Sequence, residues 1–239
     1  MKVYSLYLES GPRKQKTMVH VLELLGCIAN GPTTEAALAA TPGAIRAYLR
    51  FLKRHGENVD PAAAFETTVA EHITEGYFLG QGSTAFSYAP DLPPVSPRDT
   101  ALYIQHLDWS RSELLGLVGG LTAAQLAAEP PQGRAIGAIL RHAMESESNY
   151  VRQQLGKVEG LSEAVNIERN GLGLLAAMSL ARQLEFDRLR AMTPLELAQS
   201  VPHGQATWTA HKMFRRMLEH EWEHLLEIQD RLGGQTEEG

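Results

Sequence analysis

Four prolines fall within the nine residues Ala89-Pro90-Asp91-Leu92-Pro93-Pro94-Val95-Ser96-Pro97. No other feature constrains the fold as much. Proline fixes φ and lacks a backbone donor, so such a run cannot form a helix interior or a central strand. It reads as a linker over 90–96 that parts the 239 residues into regions of different periodicity, 1–89 and 97–234. Residues 235–239 read as a disordered tail.

The region before the prolines has short β-like runs, Lys2–Leu8, Thr17–Leu24 and Cys27–Asn30, separated by Gly11-Pro12 and Gly26. A helical segment follows. Thr33 or Thr34 can cap it, Leu38, Ile45, Leu49 and Leu52 recur at helical spacing, and Lys53-Arg54-His55-Gly56 supplies a C-terminal stop. Pro42-Gly43 predicts a kink or a division of that helix. Thr67–Ile73 and Tyr77–Leu79 read as one more strand pair. After the prolines the pattern is almost wholly helical. Ser96-Pro97-Arg98-Asp99 is a capping-box start, and long helices are expected over about 97–118, 135–155, 171–192 and 209–232. The expected class is therefore α+β: a small β-β-β-α-β domain followed by an all-α four-helix bundle.

Two histidines in the last helix, His220 and His224, lie four residues apart and so share one face, a turn from each other. His142 sits in a separate helical stretch. Three neutral imidazoles converging from two helices would hold a divalent ion and leave further coordination positions open, as catalytic metal sites do. On a helical wheel His220 and His224 fall at the edge of the stripe formed by Phe214, Met217, Leu218, Leu225 and Ile228, and His142 flanks Ile136, Leu140, Ala143 and Tyr150. That placement predicts a site at the mouth of the bundle. The same string, His220-Glu221-Trp222-Glu223-His224, satisfies H-E-x-x-H, where the glutamate is a zinc peptidase's general base. Neither a following glutamate ligand nor a G-x-x-H appears in the few residues after His224. Glu221 is thus the one candidate catalytic group, with a partly solvated helix glutamate as its plain reading.

The remaining chemistry-bearing residues carry less. His106 stands near Trp109 on the first bundle helix, His203 and His211 flank the last helix start, and His20, His55 and His72 belong to the first region. Arg46, Arg50, Lys53, Arg54 and His55 read as a solvated helix face. Cys27 has no neighbouring activating pattern and reads as a small buried residue. As the single cysteine it rules out an internal disulfide and fits a reducing compartment. A net charge of −6 argues against nucleic acid as a partner. No signal-peptide pattern opens the chain, and no apolar run reaches the roughly 18 residues of a membrane helix. These features predict a cytoplasmic protein with no membrane partner.

The segments Ile136-Gly137-Ala138-Ile139-Leu140-Arg141-His142 and Phe214-Arg215-Arg216-Met217-Leu218-Glu219-His220-Glu221-Trp222-Glu223-His224 resemble the DinB/YfiT-like family of metal-binding four-helix bundles, over about residues 97–232. The resemblance rests on a histidine after an apolar "iL-x-H" and an H-x-x-x-H pair on the last helix. It implies zinc or nickel on His142, His220 and His224, a homodimer, and a transferase or isomerase acting on a small-molecule substrate with a low-molecular-weight thiol. The stretch Leu25-Gly26-Cys27-Ile28-Ala29-Asn30-Gly31-Pro32-Thr33-Thr34-Glu35-Ala36-Ala37-Leu38 resembles HicB-like antitoxins, over about residues 1–75. In those antitoxins a DNA-binding module follows; here helices stand in its place. Three readings stay open: a thiol-dependent metalloenzyme, a non-catalytic interaction protein, and a zinc hydrolase using Glu221.

Overall fold

The structure, a computed structural model, describes residues 1–11, 16–166, 171–204 and 206–234. The expected disordered tail, 235–239, lies outside the described residues. The class is α+β, with a mixed four-stranded sheet followed by a helical bundle. The chain forms two compact units. The first takes Met1–Pro94 together with Gln199–Glu219, and the second takes Val95–Ala198 together with His220–Gly239.

The first unit opens β1 (Lys2–Ser10), β2 (Thr17–Val21), β3 (Ile28–Gly31), α1 (Thr34–Arg54), β4 (Phe65–Ile73). The sheet order is β3-β2-β1-β4, with β1 antiparallel to β2 and parallel to β4. β1 alternates as a half-buried strand should: Tyr4, Leu6 and Leu8 are buried. β2 is buried at all five positions, because the sheet is covered on both faces. On one face α1 packs against β3 and β2. Thr33 caps α1 by accepting from the Ala36 amide, and Ile45, Tyr48, Leu49 and Leu52 form its buried side. The expected division at Pro42-Gly43 does not occur, and α1 runs continuously from Thr34 to Arg54. Both residues lie on the exposed side of an unbroken helix, where water can serve the carbonyl that proline leaves without a donor.

On the other face the sheet meets the beginning of the last helix. His20 on β2 reaches Glu219 at 2.8 Å, 199 residues away. Arg215 grips the Asp91 carboxylate with two bonds of 2.8 and 2.9 Å and Glu219 with a third of 3.1 Å. Lys212 donates to the carbonyls of Thr84 and Thr207, both at 2.8 Å. Glu9 accepts from the amides of Gly82 and Ser83. A side chain at Gly82 would meet the Arg216 guanidinium at 2.4 Å, and its φ is +74°, so glycine is required there twice over. The residues around the prolines are part of this packing: Ala89–Asp91 form a 3-10 turn, and Asp91 is fully buried.

One expectation in this unit is corrected and another is extended. Tyr77–Leu79 is no strand, since the backbone turns there through Phe78 at φ +58° and Gly80 at φ +76°. His203, expected only to flank the start of the last helix, belongs to a small hairpin, β5 (Val201–His203) with β6 (Ala206–Trp208), too short to show alternation in sequence.

The second unit is the bundle. Its elements are α2 (Pro97–Val118), α3 (Ala123–Ala127), α4 (Ile136–Leu155), α5 (Leu161–Val165), α6 (Leu174–Arg190), α7 (Pro194–Ala198) and, from His220 onward, the remainder of α8 (Ala210–Gly234). The starts follow local chemistry. Ser96 caps α2 by accepting from the Asp99 amide, Thr122 and Gln125 form a reciprocal capping box, and Thr209 accepts from the Lys212 amide. Ile104, Leu107 and Leu114 on α2, Ile139, Leu140 and Ala143 on α4, Met178 and Leu189 on α6, and Leu225 and Ile228 on α8 fill the core. Among the described residues, no helix is long and apolar enough to cross a membrane.

Candidate metal centre

The apolar stripe of α8 sets the direction of its histidines. Trp222, Leu225 and Ile228 are buried, and His220 and His224, a turn apart, are drawn inward beside them with 6% and 4% of their surface exposed. Ile139, Leu140 and Ala143 seat α4 so that His142 faces the same point. Nε2 of His220 lies 3.2 Å from Nε2 of His142 and 3.2 Å from Nε2 of His224. All three rings offer a nitrogen within 4.8 Å of the others. The rings meet edge to face, with His220 and His224 centroids 4.5 Å apart.

This donor set fits a divalent ion. Two nitrogens about 2.05 Å from a common ion and 3.2 Å apart subtend about 100° there, close to a tetrahedral angle. The tautomers agree. Nδ1 of His224 donates to Glu227 at 2.8 Å, which leaves its Nε2 lone pair facing the other rings. That bond leads the effects holding the Glu227 carboxyl below the usual carboxylate range, helped by Arg134 and Arg231. Burial, then His224 and Arg134, lower the pKa of His142 and keep its ring neutral. His142 is the most exposed of the three, so the solvent side of the centre lies over α4.

Glu221 occupies a different environment from the one expected. It is completely buried rather than partly solvated. Oε1 accepts from Arg111 Nε at 2.5 Å and Oε2 from Arg182 Nη2 at 2.6 Å. The same two arginines hold Glu147, Arg111 Nη2 at 2.7 Å and Arg182 Nη2 at 2.5 Å. Arg111, Glu147, Arg182 and Glu221 come one each from α2, α4, α6 and α8, and together they close a ring of alternating charge through the core. Burial pushes the Glu147 carboxyl upward, against the pull of Arg182 and Arg111. Burial also opposes the Arg182 cation, but Glu147, Glu221 and Glu185 around it keep it protonated. Sequence reading missed this ring because it assigns charged positions to the solvent side. A signal was present: Arg111 stands between Leu107 and Leu114, and Glu147 between Ala143 and Val151, all at core spacing.

The family match can now be set beside this geometry. A family model described as the DinB superfamily matches residues 106–228, just over half of the chain. The chain belongs to the DinB superfamily. No curated protein and no solved structure matches it. The match begins within α2, ends within α8 and includes all three clustered histidines. The other histidines stand apart. His106 is buried on α2 with its ring 5.2 Å from that of Trp109. His20 pairs with Glu219, His72 with Ser10, and His211 lies 3.8 Å from Asp91. Cys27 is buried, and burial, with Glu219 nearby, raises its thiol far above the ordinary range.

Proposed function

We propose that His142, His220 and His224 bind one divalent transition ion, zinc or nickel, and that the protein is a metal-dependent transferase or isomerase using a low-molecular-weight thiol. The observation that carries the metal reading is the convergence of three imidazole nitrogens, two edges at 3.2 Å, from two helices of a DinB bundle. His142, His220 and His224 would hold the ion, which when bound would supply the Lewis acidity that favours a thiolate over a thiol. The protein's own part is positional. Glu227 fixes the His224 tautomer, the edge of the Tyr150 ring packs on His220 at 5.7 Å, and the arginine–glutamate ring holds the helices that present the donors.

Hydrolysis with Glu221 as base finds no support in this geometry, because both carboxylate oxygens are already bonded to arginines. The β-β-β-α-β order of the first unit supports reading it as a HicB-like module, and a net charge of −6 supports a role other than repression.

Elemental mass spectrometry of the purified protein tests the metal. About one transition ion per chain is expected, with most of it lost in His220→Ala and His224→Ala at unchanged circular dichroism. Equal metal in the wild type and the double variant would reject the site. Adding a thiol to cobalt-substituted protein should then bring up a sulfur-to-metal charge-transfer band that His142→Ala lacks. A spectrum indifferent to glutathione, mycothiol, bacillithiol and coenzyme A would reject the thiol reading while leaving the metal intact.

A further inference from the structure

β4 is the last strand of its sheet, and it is bare on more than its edge. Glu66 through Ala70 are all exposed, and Val69 keeps 49% of its surface open; α1 packs on β3 and β2 and meets β4 at its first residue, where Arg46 lies over the Phe65 ring. Among the described residues, nothing pairs with the outer side of this nine-residue strand. Long uncovered edges are ordinarily blunted with lysine, proline or an inward charge. Phe65-Glu66-Thr67-Thr68-Val69 has no lysine, no proline and one glutamate. The one interruption comes after it, where the register with β1 slips at Ala70, between the pairs Leu6–Val69 and Tyr7–Glu71. More exposed apolar surface continues beyond the strand, in Tyr77 and Phe78, at 72% and 57%.

The five residues before the slip are complementary to themselves. Laid antiparallel to a second copy about Thr67, Phe65 faces Val69, Glu66 faces Thr68, and Thr67 faces Thr67. Aromatic with β-branched and threonine with threonine are the cross-strand pairs that stabilise antiparallel sheets, and no like charges oppose each other. Phe65, Thr67 and Val69 also share one face, the face that carries Tyr4 and Leu6 on β1, so both copies would present the same side to their α1 helices. A two-fold axis through Thr67 satisfies every one of these pairings at once.

We propose that β4 is a self-pairing edge and that two copies of this chain join through it, antiparallel about Thr67, into one continuous sheet. The partner is a second copy rather than an unrelated peptide because the segment supplies its own favourable pairs, Phe65 against Val69 and Thr67 against Thr67, and sets Glu66 opposite Thr68 rather than a like charge.

Sedimentation of the full chain over about 1–200 µM should show reversible growth to twice the 26.3 kDa chain mass. Thr67→Lys places two like charges face to face on the axis and should weaken the dimer about tenfold or more, with the circular dichroism spectrum unchanged since Thr67 is exposed. Cysteine pairing then reads the register. Thr67→Cys should oxidise to a covalent dimer, because directly opposed strand residues have the spacing a disulfide needs, and Cys27 is buried and cannot substitute. Mixed Phe65→Cys and Val69→Cys proteins should form a hetero-disulfide, whereas Leu195→Cys, exposed on the bundle, should not cross-link. A protein that stays monomeric throughout with no cross-link at residue 67 would overturn the proposal. A dimer that Thr67→Lys leaves intact would overturn it equally, by locating association elsewhere. None of these variants touches the three histidines, so the result is independent of the metal reading.

Discussion

Glu227 accepts a hydrogen bond from Nδ1 of His224 at 2.8 Å, one turn beyond the histidine on the same helix. A carboxylate in that place fixes which ring nitrogen carries the proton and makes the other a better donor to a metal; losing such a partner typically costs 10–100-fold in affinity. Glu227→Ala should therefore weaken metal binding by about tenfold or more in a competition titration with a chromophoric chelator. The Glu227 side chain is about one-third exposed, so the fold should not change. Unaltered affinity would show that the bond has no part in ligand orientation.

The arginine–glutamate ring predicts a different outcome for Glu221. Replacing one member of a buried charge network leaves its partners desolvated and incompletely paired, at a cost of about 3–5 kcal/mol. Glu221→Gln should lower unfolding free energy by about 2–4 kcal/mol in urea, since the amide retains one acceptor for the two arginines. A stable Glu221→Gln protein that had lost only a hydrolytic activity would revive the role of base.

Much of this was legible in the sequence where causes are local. Ser96 caps α2 at the predicted place because a cap depends on three or four consecutive residues. The three histidines could be grouped because two share a helix and the third follows a core-facing leucine. The connection between His20 and Glu219 was not legible, since 199 residues separate them and neither position departs from an ordinary surface pattern. The Arg111–Glu147–Arg182–Glu221 ring escaped for a related reason: each charge alone looks like a solvated residue, and only the four together make burial tolerable. The hairpin at Val201–Trp208 and the unbroken helix at Pro42 show the limit from the other side. Three-residue strands have no usable period, and proline on a wet face costs less than its reputation suggests.

Acid should loosen the first unit through Glu219. Burial alone would raise this carboxyl, but His20, Arg215 and Arg216 around it outweigh burial and hold it down at about 2, against an ordinary value of 4.5. Asp91, gripped by Arg215, is likewise held well below the usual range. A carboxyl depressed in the folded state takes up protons first in the unfolded chain. Its stabilisation is complete above about pH 4.5 and is lost as pH falls toward 2, on the order of 3 kcal/mol for Glu219. Urea midpoints of the full chain should drop between about pH 5 and about pH 3, and drop less in Glu219→Gln. Equal slopes in both proteins would assign the acid sensitivity to other groups.

The shared last helix leads to a prediction about dissection. Cutting the chain at residue 92, where the prolines suggest a boundary, separates the sheet from Gln199–Glu219, which belong to the same compact unit. A fragment of residues 1–92 keeps Asp91 and His20 but loses Arg215 and Glu219, their buried partners, and it loses the helix that covers one sheet face. The sheet face left uncovered returns its apolar side chains to water at about 1.5–3 kcal/mol for each large one, which over a few residues is comparable to the whole stability of a domain this size. Fragment 1–92 should therefore unfold without a sharp transition, monitored by circular dichroism in urea. Appending residues 199–219 through a flexible linker should restore cooperativity, and the same appended segment carrying Glu219→Ala and Arg215→Ala should not. A cooperative transition in 1–92 alone would show that the sheet and α1 suffice, and that the ionic contacts with α8 add little.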